Sequence, residues 1–554
     1  MKLMECVPNF SEGRDLGILD AIADAIKSVK NVSLLDVDPG ADTNRTVFTM
    51  AGEPEAVVEA AFQAIKKAAE LIDMSKHTGE HPRMGATDVC PFIPISDMTM
   101  EECVEYAKKL GKRVGEELGI PVYLYENAAS KPEWRNLANV RSGEYEALPK
   151  KAKDPAWKPD FGPQSFNARS GATAISAREF LIAYNINLNT RDQKKAHDIA
   201  LSIRESGRSA RDENGKLIRD EAGNIVKTPG IFTHCKAVGW YIDGYNRAQI
   251  SINLTNYKIT PPHAVLDKVR EMANEMGLEV TGSELVGLIP KAAILEAGKY
   301  YLDKMNESTG IPERMIMETA IQSMGLAELS PFDLDKKVIE YAIAKKDRLA
   351  TKTVIDFCDV LSTDSPTPGG GSVAGLCLAM SGALSSMVAN LTIDKKGYEK
   401  VQDAAREYAP MGQSIKEDAI HCIDLDSDAF DIMMEALRLP KKTDEEIQYR
   451  NHQLELGTQG AILSPLEVLR ISLKALELAK AVAKIGNTNA LSDAGVAALT
   501  ALAAAKAANF NILINLQSIT DEDFRKKTLA EAGELIEKCV ALNEEVEKDV
   551  CSRL

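Results

Sequence analysis

Residues 32–52, VSLLDVDPGADTNRTVFTMAG, read as one strand turning back into another. The runs VSLLDVD and RTVFTMAG carry the β-branched and apolar residues that suit a pleated, half-buried surface, and Asp38-Pro39-Gly40 between them is turn chemistry. Working outward, the strand LMECVPNF (3–10) and a helix-period run (16–29) precede this pair. A second helix-period run (54–72) and the strand DVCPFIPI (88–95) follow it. The order is βαββαβ, the split βαβ or ferredoxin-like unit. After a helix at 100–118, PVYLYE (121–126) adds a strand.

The same order recurs further on: EFLIAYNINL (179–188), a helix at 193–205, AVGWYID (237–243), AQISINLTNY (248–257), a helix at 265–276 and VTGSELVGLIP (280–290). Two half-covered sheets side by side would leave a groove, a common place for a ligand. Within the second repeat, residues 207–230 carry Asn-Gly and Gly-Asn pairs and read as a surface hairpin or excursion. From about Pro331 strand signals vanish, and runs such as LEVLRISLKALELAKAVAKIG (466–486) and VAALTALAAAKAANFNILINL (496–516) are helical. The expected architecture is multidomain. Two α+β ferredoxin-like subdomains (1–180 and 181–328) and a linker (329–345) lead into an all-α helical bundle (346–554).

A chain of 554 residues with 45% hydrophobic and 27% charged residues has several globular cores. With aromatics at 5%, those cores rest on Ala, Leu, Ile and Val. A net charge of −16 without a long basic run argues against nucleic acid as a partner, while leaving room for a small anionic substrate at a local positive site. Nine cysteines without CxxC spacing fit reduced thiols, and with no apolar leader at the N-terminus the expectation is a cytoplasmic protein. Residues 366–393 carry no charge and are long enough to cross a membrane. Their Pro-rich start, their Gly, Ala and Ser content and the lack of a second such span argue instead for a buried bundle helix, so no membrane is expected.

The loop HTGEHPRMGATDVCPF (77–92) gathers His77, Glu80, His81, Arg83 and Asp88 before an apolar strand. His81 is the best candidate base, since imidazole titrates near neutrality; a turn histidine satisfying backbone groups is the competing reading. His77 and His81 are four apart, but Pro82 disfavours a shared helix face and the HExxH order is absent, so no metal is expected. Asp36, Asp38, Asn44 and Arg45 cluster where the strand at 32–38 turns back, either to orient a base or grip an amine, or as ordinary turn residues. Gly162, Gly171 and Arg178 lie in FGPQSFNARSGATAISAREF (161–180), where glycines permit close approach to a flat ligand or mark a loop. TDSPTPGGGSVAG (363–375) leads into a helix start that could bind an anion or be a linker.

In SIKEDAIHCIDLDSDAFDIMMEAL (414–437), helical spacing puts Ile415, Ala419, Cys422, Ile423, Phe430, Met433 and Leu437 on one stripe with Asp426 in its middle. Asp424, Asp428 and Asp431 fall opposite, with Glu417 and Glu435, as a solvated face. A carboxyl in an apolar interface has its pKa raised and can serve as an acid; a core Asp with a buried partner is the alternative.

Together these motifs resemble the formiminotransferase-cyclodeaminase family over nearly the whole chain. The first half carries the resemblance in ECVPNFSEG (5–13), LLDVDPGADTNRTV (34–47), GEHPRMGATDVCPFIP (79–94), GEYEALP (143–149) and TGSELVGLIP (281–290). The second carries it in PTPGGGSVAG (366–375), DLDSDAFDIMMEALRLPK (424–441), GNTNALSDAG (486–495) and NILINLQSITDE (511–522). The resemblance implies a bifunctional transferase and lyase of one-carbon metabolism and histidine catabolism. The formimino group of N-formimino-L-glutamate would pass to N5 of tetrahydrofolate with release of glutamate, His81 acting as base and Asp38 and Arg83 supporting it. It implies folate binding at Gly162, Pro163 and Gly171 in the groove between the repeats. Ring closure to 5,10-methenyltetrahydrofolate with loss of ammonia would then use Asp426 as proton donor beside the loop Gly369, Gly370, Gly371 and Ser372. The co-substrate would be polyglutamylated tetrahydrofolate, and the assembly a homo-oligomer, in ring form. A methenyltetrahydrofolate cyclohydrolase in place of the second activity, or a non-catalytic oligomeric scaffold, are the competing readings.

Overall fold

The computed structural model describes residues 2–41, 43–79, 81–220, 223–344, 348–365 and 367–554. The chain divides into two compact units, Met1–Ala297 with Ala320–Ala344, and Gly298–Thr319 with Lys345–Leu554. The segment Gly298–Thr319, which the sequence reading put in the second subdomain, groups with the helical unit.

The first sheet of the first unit contains β1 (Leu3–Cys6), β2 (Asn9–Phe10), β3 (Val32–Gly40), β4 (Arg45–Gly52), β5 (Thr87–Ser96), β6 (Val122–Glu126) and β7 (Thr173–Ala177). Pro8, which has no N–H to donate, separates β1 from β2, and both pieces lie between β4 and β5. The order is β3-β4-β1/β2-β5-β7-β6, antiparallel as far as β5 and parallel from β5 through β7 to β6. The expected hairpin is β3–β4, and its turn holds Asn44 at φ +46°. β7 has no counterpart among the strands expected from the sequence. Its TAISA run is short and follows a Gly- and Ser-rich stretch, so only pairing with its two neighbours makes it a strand.

One face of this sheet packs on the helices Leu16–Lys27, Pro54–Leu71 and Met100–Glu117. Phe10 and Phe48 meet edge to face there at 5.2 Å, and Thr99 with Glu102 forms a capping box at the start of the third helix. Met4 and Cys6 belong to that core, so alternation turns Glu5 to the other face. That second face is apolar where Val89, Tyr123, Tyr125 and Ala174 pack on Trp134, Val140 and Leu148, and carries Glu5 and Ser176 as buried polar groups.

The second sheet is β11 (Cys235–Ile242), β12 (Arg247–Leu254), β8 (Ile182–Leu188) and β13 (Val280–Val286) in that spatial order, antiparallel throughout. Ile182, Tyr184, Ile186 and Leu188 are buried, while the alternate residues Asn185 and Asn187 share their face with Gln249. Gln249 Nε2 donates to Asn187 Oδ1 at 2.8 Å, and Trp240 Nε1 donates to Gln249 Oε1 at 2.8 Å. The described residues of 207–230 form the expected surface excursion: β9 (Arg208–Ser209) pairs β10 (Lys227–Thr228), and isolated bridges join Arg211 to Leu217 and Arg219 to Ile225.

The second unit is built on the helices Gly370–Asn390, Gln402–Leu437, Asp444–Ile485, Leu491–Asn515 and Glu522–Arg553. Its core is alanine-rich, and Leu491–Asn515 alone buries Ala494, Ala497, Ala498, Ala501, Ala504, Ala505 and Ala508. Gly382 and Gly412 mark where the first two of these helices cross: a Cβ on Gly412 would lie 2.6 Å from the Ser386 nitrogen. The uncharged run becomes Gly370–Asn390, with 61% of its most apolar window buried. The expectation that no second segment passes the same length and apolarity test is corrected, because Thr488–Ser518 does, with 39% buried. Alanine, which fills small helix-helix contacts, also scores as apolar.

Candidate active sites

The first cluster lies on β3, β4 and the loop before β5. The His81 ring lies beside its own loop, with Nδ1 2.7 Å from the Pro82 carbonyl. That oxygen can only accept, so Nδ1 carries the proton and Nε2 of the neutral ring keeps its lone pair. Burial, then the Arg45 charge and, more weakly, Arg141, lowers the His81 pKa from its ordinary 6.5 against opposition from the Pro82 bond and Asp88. A proton-accepting nitrogen is therefore present at neutral pH. Asp88 is fully buried, takes the Met84 N–H at 2.9 Å and pairs with Arg141.

The other residues of the cluster separate by role. His77 accepts from Arg83 Nε at 3.3 Å and lies 2.9 Å from the Asn44 carbonyl through Nε2, so both its nitrogens are engaged within the loop. Arg83, expected beside the base, turns to Glu144 and Glu146 at 3.0 and 2.7 Å and ties the loop to the GEYEALP segment. Asn44 joins three segments, accepting from the Gly13 N–H and donating to the Thr78 carbonyl. Asp36 and Asp38 lie on the outer, largely exposed part of β3, where partial burial of the Asp36 carboxyl and then the Asp38 charge raise the Asp36 pKa. Glu80 lies outside the described residues. Among the described residues no three His, Cys, Asp or Glu side chains gather as a metal-holding group.

Pro163 and Gly171 line a small surface crevice with Tyr123, Leu148 and Phe166. Gly162 and Gly171 have φ of +82° and +68°, and backbone fills the space where their Cβ atoms would go: Ile120 O lies 2.5 Å from the first and Gly85 Cα 2.7 Å from the second. Their glycine identity is thus required by chain packing. The sequence reading passed over Glu5 and Arg141. Glu5 is buried on the second face of the sheet, its pKa pushed up to about 8 by burial and then Glu340, with Arg178 opposing. An acid inside an apolar strand motif is the signal that marks it.

The second cluster lies within the helical unit. Asp426 sits on Gln402–Leu437 with its carboxylate against the first turn of Gly370–Asn390. Ser372 Oγ donates to Oδ2 at 3.1 Å, and the Ser372 backbone N–H bonds the same carboxylate. Burial raises the Asp426 pKa and outweighs both Ser372 bonds, which lower it. Gly371 leaves the room the carboxylate occupies, and Asn511 from Leu491–Asn515 flanks Gly370. Gly369 is the N-cap, in an extended conformation.

Ile415, Ala419, Cys422 and Ile423 are buried as the stripe requires, but Phe430 and Met433 are half-buried and Leu437 is 43% exposed. The solvated-face assignment fails for Asp424. It is 8% exposed, accepts from the Ala350 N–H at 3.3 Å and faces Arg348 at 3.5 Å, because residues 348–351 cover that side of the helix. Asp428 and Asp431 are exposed as expected.

Comparison with known proteins gives three matched segments. Residues 3–178 match the formiminotransferase domain, N-terminal subdomain, residues 183–344 the formiminotransferase domain, and residues 353–534 the formiminotransferase-cyclodeaminase family. A formimidoyltransferase-cyclodeaminase of Mus musculus is 42% identical over 541 residues, covering 97% of this chain and 96% of the mouse chain. The chain belongs to the formiminotransferase-cyclodeaminase family. A glutamate formimidoyltransferase of Thermoplasma acidophilum is 45% identical over 324 residues, 58% of this chain and 98% of its own. A methenyltetrahydrofolate cyclohydrolase of Methylorubrum extorquens is 37% identical over 203 residues, 37% of this chain and 98% of its own. In this family member the His81 cluster therefore falls in the transferase-like part and Asp426 in the part matched to the formiminotransferase-cyclodeaminase description.

Proposed function

We propose that the chain is a bifunctional folate enzyme, a glutamate formimidoyltransferase joined to a formimidoyltetrahydrofolate cyclodeaminase. In the first reaction N5 of tetrahydrofolate attacks the formimino carbon of N-formimino-L-glutamate. His81 Nε2 takes the N5 proton and returns it to the departing glutamate nitrogen as the old C–N bond breaks. In the second, N10 attacks the same carbon on 5-formiminotetrahydrofolate. Asp426, protonated, gives its proton to the departing nitrogen, and ammonia and 5,10-methenyltetrahydrofolate result. The observation that carries the reading is a pair of opposite shifts on one chain: burial and then the Arg45 charge lower the His81 pKa, and burial raises the Asp426 pKa where its carboxylate meets Ser372.

Asp38 stands at the edge of the first site, and Arg83 holds the His81 loop. Gly162, Pro163 and Gly171 shape the folate side, and Gly369 to Ser372 form the cradle of the second site. The co-substrate is tetrahydrofolate with a polyglutamate tail, and neither reaction as written calls for a metal. We assign the enzyme to histidine catabolism in the cytoplasm, a location supported by its nine free cysteines, and to a ring-shaped homo-oligomer. Both α+β halves are taken as ferredoxin-like, which the recurring βαββαβ order supports. The proposed domain limits are 1–180, 181–328 and 346–554, with 329–345 as linker, except that Gly298–Thr319 groups with the helical unit.

The relative named as a cyclohydrolase favours a second reading, in which the helical part hydrolyses methenyltetrahydrofolate. Incubation with N-formimino-L-glutamate and tetrahydrofolate decides between them. Ammonia released with the methenyl product supports the cyclodeaminase, and folate turnover without ammonia supports the alternative.

A further inference from the structure

We propose that Arg45 and Arg141 form the subsite that grips the α-carboxylate of the formimino donor beside His81. This rests on the transferase reading above. Arg45 opens β4, one residue after the turn at Asn44. Its Nε is enclosed without a hydrogen-bond partner, and its pKa is lowered first by burial, with Asp88 opposing and the neighbouring Arg141 charge adding to the fall. Arg141 spends one terminal nitrogen on Asp88, while its own Nε is likewise enclosed and unpartnered. Arg141 thus holds the buried Asp88 carboxylate, whose charge Arg45 feels without pairing to it, and each guanidinium keeps an enclosed Nε donor with nothing to receive it. Buried donors are ordinarily satisfied, so a pair of orphaned Arg Nε atoms in one cluster calls for an acceptor that arrives with the ligand. A guanidinium edge presents parallel N–H groups that match the two oxygens of a carboxylate.

The chemistry of the donor selects which carboxylate. In N-formimino-L-glutamate the α-carboxylate is attached to the same carbon as the nitrogen that leaves. Holding it at the arginines brings that nitrogen, and the formimino carbon next to it, toward His81, which both arginines already influence. The γ-carboxylate is two carbons further from the reacting bond. Anion binding also offsets the two positive charges that hold the His81 pKa down. The base then becomes a stronger proton acceptor with donor in place.

The test compares three donors in the full-length protein: N-formimino-L-glutamate, N-formimino-4-aminobutyrate, which lacks the α-carboxylate, and N-formimino-2-aminobutyrate, which lacks the γ-carboxylate. The unmodified protein should use 4-aminobutyrate derivatives far less well than 2-aminobutyrate derivatives. Arg45→Ala should raise KM for the glutamate donor by roughly 10- to 100-fold and erase that discrimination, as expected for loss of a charge-assisted bond. KM for tetrahydrofolate should be unchanged, showing that the first unit still folds and binds its co-substrate, and deamination of supplied 5-formiminotetrahydrofolate in the helical unit should be unaffected. Arg141→Lys, which keeps the charge beside Asp88 but not the fork, should show a smaller rise in donor KM. Because His81 faces Arg45, Arg141 and Asp88, Arg45→Ala should also move the acid limb of the transferase profile upward. A merely structural role would not produce that shift. Unchanged donor KM and discrimination in Arg45→Ala would overturn the subsite, as would a rise in KM for polyglutamylated folate alone. If the unmodified protein transfers nothing from formiminoglutamate, the transferase reading itself falls, so the two failures are distinct.

Discussion

A side chain at Gly371 and the carboxylate of Asp426 would occupy the same space: a Cβ there would lie 2.6 Å from Oδ2 and closer still to Oδ1. The helix start at Gly370 therefore closes directly on the acid. Gly371→Ala should displace the carboxylate and cut cyclodeaminase turnover at least 100-fold, the scale of losing a positioned proton donor. Glutamate release in the transferase assay should stay within about twofold of the unmodified protein.

Ser372→Ala tests the proton state of that acid. Both Ser372 bonds lower the Asp426 pKa, so removing the hydroxyl should raise it further. A proton donor works below its pKa and fails as pH rises through it, so the alkaline limb of cyclodeaminase activity should move to higher pH in the variant. A limb that stays in place would separate the limb from Asp426.

The His81 base behaves in the opposite sense. Burial and the Arg45 charge keep its pKa below the ordinary 6.5, so the neutral, active form persists into mildly acidic solution and is lost only beneath that value. The acid limb of transferase kcat/KM should therefore lie below pH 6.5. His81→Asn should lower turnover by roughly 100- to 10,000-fold and remove the limb.

Asp88 is buried at 0% exposure and answers the Arg141 guanidinium, so Asp88→Asn leaves that cation uncompensated. The expected cost is about 3–5 kcal/mol, read as a lower chemical-denaturation midpoint of the first unit. Arg83→Ala breaks contacts to two carboxylates exposed by 40% and 63%, and screening limits that loss to about 1 kcal/mol.

What the sequence could disclose follows from which forces leave a periodic trace. The β3–β4 hairpin was legible because the apolar runs and the Asp-Pro-Gly turn agree. Asp426 was legible because 3.6-residue spacing alone places it among Ile423, Ala419 and Cys422. Asp424 was misplaced because the same spacing reports one apolar face and cannot register that residues 348–351 cover another. β7 escaped because five residues after a glycine-rich loop become a strand only through β5 and β6. Arg83 was expected at the base, yet its charge is answered sixty residues on, by Glu144 and Glu146. Arg141 carries no local signal, since its partner Asp88 is a long-range neighbour.

The division of labour between His81 and Asp426 is tested most directly by measuring glutamate, ammonia and methenyltetrahydrofolate together in the His81→Ala and Asp426→Ala proteins. Asp426→Ala should release glutamate and accumulate 5-formiminotetrahydrofolate without ammonia. His81→Ala should release no glutamate but still convert supplied 5-formiminotetrahydrofolate to ammonia and the methenyl product. If either variant retained the step assigned to its missing residue, or if the unmodified protein formed the methenyl product without equimolar ammonia, the two-site account would be contradicted.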